Sequence, residues 1–299
     1  MQTAAPFIPY LSARLKPQSG LNTKFCTPLS FCHTAPMFYI APKYRHWFTQ
    51  QQISSYKQLL TLCQGEVINH AGKNTTWRNS WQIDDSTFKV FIKRYEYRLS
   101  PRYTYPRRPR ALVEMQSYNF WQQHNIAGPE VIAAGSYSPF GFHQSSLIIT
   151  REIAGAEDLS ELCQLPCFRQ NSILVETVFD QLADILANAH QANFYHFDLH
   201  FRNIMVQKKA QAPTIFWIDA PRGKIKKKPN AYLQIKDLAC IYRGCYGQQW
   251  LSLWQQLAAR YFQQMGYDQN TVNEIKQGIK KRLGRRKATS QHGDEQSFV

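Results

Sequence analysis

Apolar and polar positions alternate through much of the first half of the chain, whereas spacings of three and four dominate the second. Glu66 to His70 and Thr76 to Ile83 read as two strands around a turn at Gly72-Lys73-Asn74. Asp84-Asp85-Ser86 then turns the chain into a third strand, Phe88 to Lys93, with Phe91, Lys93 and Tyr95 on one face and Phe88, Val90 and Ile92 on the other. A helix over Arg110 to His124 meets its stop signal at Asn125 and Gly128-Pro129. Strands follow at Glu130 to Ala134 and Ser146 to Thr150. The second half opens with a helix from about Ser172 to Asn193, where Leu174, Val178, Leu182, Ile185 and Ala189 form the apolar stripe. Two short strands, Asn203 to Gln207 and Thr214 to Asp219, precede helical sequence that runs with breaks from Ile235 to Arg282.

Strands first and helices second, with no internal repeat, predict an α+β chain of two lobes. The small lobe is mainly antiparallel β with one key helix, and the larger is mainly helical. Residues 1–45 hold six prolines and no sustained period, so they read as an irregular segment or tail. Met37 opens a plausible shorter product, which makes the first 36 residues an over-long start or a tail. Residues 46–152 then form the N-terminal lobe, 153–284 the C-terminal lobe and 285–299 a basic to polar tail.

Composition narrows this picture. A hydrophobic fraction of 43% over 299 residues fits a folded, enzyme-sized chain. No apolar run approaches the ~18 residues that a bilayer span requires, and no secretory signal is visible. The 7 cysteines lack zinc-knuckle spacing and read as reduced thiols of a cytoplasmic protein. The net charge of +16 predicts an anionic partner: nucleic acid, an anionic membrane surface or a phosphate-bearing substrate.

Chemistry concentrates in His196-Phe197-Asp198-Leu199-His200-Phe201-Arg202-Asn203. In-line phosphoryl transfer needs a carboxylate to accept the proton of the attacking hydroxyl, an oxygen ligand for Mg²⁺ nearby and a second carboxylate bridging metal and phosphates. Asp198 and Asn203 have the kinase spacing, after an amphipathic helix and before a strand pair that ends at Asp219. The bland alternative is a polar loop capping a helix. Upstream, Lys93 shares a strand face with aromatics and is the candidate phosphate-binding lysine, with Lys89 as its rival. Glu114 falls inside the helical stripe of Ala111, Met115, Tyr118 and Trp121, where a carboxylate either pairs with a cation such as Lys93 or lies at the stripe's edge and reaches water. Gly72 marks a phosphate-covering turn by position alone. Thr150-Arg151-Glu152 has the placement of an interlobe hinge whose backbone meets adenine, and equally that of an ordinary strand exit.

With these residues in place, the chain resembles the lipopolysaccharide kinases of the protein-kinase-like superfamily, the group of Kdo and heptose kinases and InaA-like proteins. The carrying residues are Val90 to Tyr95, Glu114, His196 to Asn203, Trp217-Ile218-Asp219 and Lys236-Asp237-Leu238, within Glu66 to Gly247. The resemblance implies transfer of the ATP γ-phosphate to a sugar hydroxyl of the lipopolysaccharide inner core at the cytoplasmic face. It makes Asp198 the base, Lys93 the phosphate lysine paired with Glu114, and Asn203 and Asp219 the Mg²⁺ ligands. Three features depart from the pattern: Asp219 is followed by Ala220-Pro221-Arg222-Gly223 rather than Phe-Gly, Phe91 replaces a small residue, and Lys208 to Pro213 lengthen a hairpin.

The segment between Asp219 and Asp237 is too short for a regulated activation loop and carries Arg222, Lys224, Lys226, Lys227 and Lys228. Those cations read as contacts to acceptor phosphates, or as a solvated charge run. The run Lys280 to Lys287 suits peripheral docking on an anionic membrane surface, the inner membrane's cytoplasmic face, and serves equally as a solubilising tail. Two other functions compete: a small-molecule kinase of the antibiotic or choline type, and a non-catalytic kinase-like protein holding RNA or lipid. Nucleic acid has only local support, in Arg102 to Arg108. The intact trio Asp198, Asn203 and Asp219 argues for catalysis.

Overall fold

In the computed structural model, residues 37–71, 74–97, 107–209, 212–245 and 248–287 are described. The alternating sequence of the first half folds into one antiparallel sheet of six strands in the order β1-β5-β6-β4-β3-β2. These are β1 (Met37–Ile40), β2 (Glu66–Ala71), β3 (Asn74–Ile83), β4 (Ser86–Glu96), β5 (Val131–Tyr137) and β6 (Ser145–Arg151). Alternation along β4 sends Val90 and Ile92 into a core with Trp81, Ile132, Leu147 and Ile149. Short helices α1 (Arg45–Gln50) and α2 (Tyr56–Leu59) supply Phe48, Tyr56 and Leu59 to that core. The opposite face of the sheet receives α3 (Arg110–Gln123), so Lys93 and Tyr95 on β4 look toward that helix.

The second half continues as β7 (Ala156–Asp158), α4 (Leu159–Leu162), α5 (Pro166–Gln170), α6 (Ser172–Gln191) and β8 (Phe194–Tyr195). It ends with β9 (Ile204–Gln207), β10 (Thr214–Trp217), β11 (Lys224–Ile225), α7 (Ala231–Tyr242), α8 (Gln248–Met265) and α9 (Gln269–Lys287). Side chains set the helix starts: Asn171 accepts from the Leu174 N–H at 3.0 Å and Asn230 from the Leu233 N–H at 3.0 Å. Residues of α3, α6, α7 and α8 share one core, which makes Trp121 contiguous with Leu182, Leu238 and Tyr261.

The structure corrects several expectations. Residues 37–45 are not irregular: β1 pairs with β5, and Ala41 and Tyr44 are buried. Four residues are too few to display a period, and the pairing partner lies almost a hundred positions away. The basic run from Lys280 continues α9 through Lys287 rather than leaving it as a tail. The buried face of α6 is wider than predicted, with Val175, Phe179, Ala183, Leu186 and Ala187 inside and Leu174 and Ile185 only partly covered. Packing against helices on more than one side causes this. The strand before Asp219 closes at Trp217, and Gly72 lies outside the described residues, as do residues 1–36 and Arg102 to Tyr105.

The α6 assignment is checked by a pair of truncations. Leu182 is fully buried, so Leu182→Ala should lower stability by about 2–5 kcal/mol, whereas Ile173→Ala, at a position 77% exposed, should change it by less than about 0.5 kcal/mol. Equilibrium urea unfolding followed by far-UV circular dichroism reads both.

Candidate active site

Three segments converge on one ammonium group. Lys93 on β4 places Nζ 3.6 Å from Oε1 of Glu114 on α3 and in contact with Oδ1 of Asp219, just past β10. Glu114 is 3% exposed, and its other bonds come from hydroxyls: Tyr95 donates to Oε2 and Tyr118 to Oε1, each at 2.6 Å. A buried carboxylate with one cation and two hydroxyl donors is satisfied, and each hydrogen bond to such a charge contributes roughly 1.5–3 kcal/mol. The Tyr118 oxygen also accepts the Asp219 N–H at 3.0 Å, so α3 fixes both the side chain of Lys93 and the backbone at Asp219. Asp219 has φ +58°, a left-handed conformation that aspartate tolerates better than most residues.

Charge follows geometry. Burial alone pushes the Lys93 ammonium down, but Glu114 and Asp219 outweigh it and hold its pKa raised. Burial would raise the Asp219 carboxyl too, yet Lys93 draws it below its ordinary 3.8. Glu114 stands raised, mainly because it is buried, with Lys93 pulling the other way. Lys89 on the same strand face is exposed and joins none of these contacts among the described residues.

The loop from His196 to Asn203 runs between β8 and β9 and is held by a residue given no role from spacing alone. Asp237 on α7, 1% exposed, accepts the His196 N–H at 2.7 Å and the Phe197 N–H at 2.8 Å. This clamp fixes Phe197 at φ +75°, a strained conformation of order 1–3 kcal/mol for a non-glycine residue. Its signal was a carboxylate set among Leu233, Leu238, Ala239 and Ile241 on a helix, the same signal that marked Glu114. His196 is fully buried and stacks on Trp121 with ring centroids 5.6 Å apart. Its Nδ1 accepts the Asp198 N–H at 3.3 Å and its Nε2 donates to the Ile218 carbonyl at 2.9 Å, which fixes the neutral tautomer. Burial lowers its pKa and reinforces that state. The Ile218 N–H in turn donates to the Asn203 carbonyl at 3.0 Å, lacing the loop to the segment that carries Asp219.

Within this frame Asp198 keeps a partly exposed carboxylate, with His200 Nε2 at 3.4 Å and an Arg202 guanidinium nitrogen at 3.5 Å. Asn203 spends its amide nitrogen on the Asp198 carbonyl at 2.7 Å, which leaves its side-chain oxygen available to a ligand. Asn203 and Asp219 thus offer hard oxygen donors, a set that suits Mg²⁺ completed by phosphates and water. Among the described residues no cluster of three His, Cys, Asp or Glu side chains competes for a softer metal. The five described cysteines are free thiols.

Glu152 follows β6, but its N–H donates to the Lys89 carbonyl at 2.9 Å and its carboxylate pairs with Arg78. Only its carbonyl remains for a ligand. Arg222, Lys224 and Lys226 are exposed, and the segment carrying them is ordered by β11, which pairs with β8. Gly223 packs directly on Ser117 of α3, where a side chain would collide. A cleft of about 320 Å³ beside it is lined by Arg108, Ser117, Gly223, Lys224 and Lys226.

Acid titration tests the central ion pair. Because the Asp219 pKa is depressed, its contribution to stability is complete above pH 3.8 and is lost as the pH falls through the lower folded-state value. Melting temperatures of wild type and Asp219→Asn should therefore differ most at pH 5 and above and converge on acidification below pH 3.8.

Comparison with known proteins bears on the fold and the family. A solved structure of WaaP in complex with acyl carrier protein matches with a TM-score of 0.60, over 84% of this chain and 98% of that one, at 18% sequence identity. At that identity the likeness speaks to the fold, a kinase-like one. No curated protein sequence matches the chain. The model of the lipopolysaccharide kinase (Kdo/WaaP) family matches residues 59–261, which span Lys93, Glu114, the His196 loop, Asp219 and Asp237. On that match over two-thirds of its length, the chain belongs to the lipopolysaccharide kinase (Kdo/WaaP) family.

Proposed function

We propose that this protein transfers the γ-phosphate of ATP to a sugar hydroxyl of the lipopolysaccharide inner core. The observation that carries the reading is the single ammonium of Lys93 held between Glu114 and Asp219, with Asp198 and Asn203 on the loop hydrogen-bonded to the same Asp219 segment. In this reading residues 46–152 form the ATP-binding lobe and 153–284 the catalytic lobe. Lys93 shifts from Asp219 to the α- and β-phosphates while Glu114 keeps it charged and aimed. The carbonyl at Glu152 meets the adenine edge. Asp198 accepts the proton of the attacking hydroxyl, and its neighbours His200 and Arg202 orient its carboxylate. Asn203 and Asp219 would hold Mg²⁺, which supplies neutralisation of the charge on the transferring phosphoryl group.

Arg222, Lys224 and Lys226 stand in this reading on the acceptor side. Membership of the family supports an acceptor among lipopolysaccharides, and no helix among the described residues is long and apolar enough to cross a membrane. A cytoplasmic protein that touches the anionic inner-membrane surface through its basic C-terminal helix would meet such an acceptor.

The deciding measurement is phosphate incorporation from labelled ATP into purified lipopolysaccharide core. Asp198→Asn should reduce it by about 10²–10⁴-fold, the range of a lost general base, with the folded circular dichroism spectrum and ATP binding retained. Equal incorporation by both proteins would defeat the assignment.

A further inference from the structure

Phe197, held at positive φ one residue before Asp198, carries two cations on its ring. Lys224 Nζ lies 4.6 Å from the ring centroid and Lys236 Nζ 3.2 Å from it. Lys224 comes from β11 and Lys236 from α7, next to the Asp237 clamp, so two separate elements bring like charges to one spot. Neither forms an ion pair among the described residues, and Asp237, next to Lys236 in the chain, has both oxygens engaged by the loop N–H groups. A third cation arrives from α9. Gly278 packs on Ile235 so closely that an added side chain would collide, and this contact seats α9 against α7. One turn further on, the Arg282 guanidinium lies 5.8 Å from the Tyr232 ring, one helical turn before Lys236 on α7. Its Nε is buried and has no hydrogen-bond partner.

Unpaired cations gathered beside a catalytic loop repel one another, and an orphaned buried N–H is costly, so the arrangement is complete only with an anion in it. The strain shows in Lys236, whose ammonium is held down to about 8 by burial and by Arg282, with Arg222 adding to the effect and Asp237 and Cys240 opposing it. We propose that Lys224, Lys236 and Arg282, with Arg222 at the rim, form a receptor around the Phe197 ring for an anionic group, phosphate or carboxylate, carried by the acceptor sugar. The assignment rests on the kinase reading above and narrows its acceptor to a sugar already bearing a negative charge close to the hydroxyl attacked. Arg282 lies beyond residues 59–261, the span of the family match, so this part of the receptor belongs to the chain's own C-terminal helix.

Two measurements on the full chain test it. In the first, lysines are trace-labelled with acetic anhydride at pH 8 and quantified by peptide mass spectrometry. Lys236 should react faster than Lys227 or Lys228, and a carboxylated or phosphorylated sugar should protect it while the matching neutral sugar does not. Arg282→Gln should abolish the protection and Arg282→Lys restore part of it. Equal protection by the neutral sugar would overturn the proposal. This readout needs no phosphoryl transfer, so it stands or falls separately from the kinase activity.

In the second, Lys236→Gln and Arg282→Gln should each raise the acceptor KM about tenfold or more, the effect of losing one charge-assisted contact, with the KM for ATP nearly unchanged. An unchanged acceptor KM in both variants, or an equal rise for ATP, would refute it.

Discussion

The arrangement around the His196 loop depends on a carboxylate that cannot reach water. Glu114 sits inside the apolar face of α3, and an ionised group there persists only when each of its oxygens is answered. Lys93, Tyr95 and Tyr118 supply the answers from a strand, the same strand and the helix itself. Since the Tyr118 oxygen also receives the Asp219 N–H, and Lys93 also meets the Asp219 carboxylate, satisfying Glu114 sets the position of the residue across the cleft. A buried ion pair of this kind contributes little net stability against its desolvation. What it contributes here is registry between the sheet and the helical half.

A second buried acid does the matching work on the other side. Asp237 anchors the backbone of His196 and Phe197, and His196 then bridges to Ile218 while stacking on Trp121. Trp121 touches Tyr118, Phe194 and Trp217 as well, so the aromatic core joins the helix bearing Glu114 to the loop bearing Asp198. The two acids are thus linked through packing, and Phe197 is left projecting toward the cations of β11 and α7.

Much of this was legible in the sequence. The alternation in β3 and β4, the stripe in α3 and the spacing of Asp198 and Asn203 are local patterns, and each element formed within a few residues of its expected bounds. Glu114 was legible because a charge in an apolar stripe demands a partner. Asp237 carried the same signal in α7, but nothing local says whether such a carboxylate meets a side chain or, as here, two backbone N–H groups. The buried side of α6 was misjudged because its width depends on neighbours far along the chain, and β1 was missed because four residues show no period.

The sequence by itself determined the longer strands and helices, the buried acid Glu114 and the presence of a catalytic-loop spacing, since these follow from side-chain periodicity and from the free-energy cost of an unpaired charge. Only the tertiary structure decided which lysine Glu114 would take, that Asp219 would join it, and that a basic helix at the end of the chain would deliver Arg282 beside Lys236. Those outcomes depend on which distant surfaces pack together, and close packing is fixed by the shapes of all the elements at once rather than by any one of them.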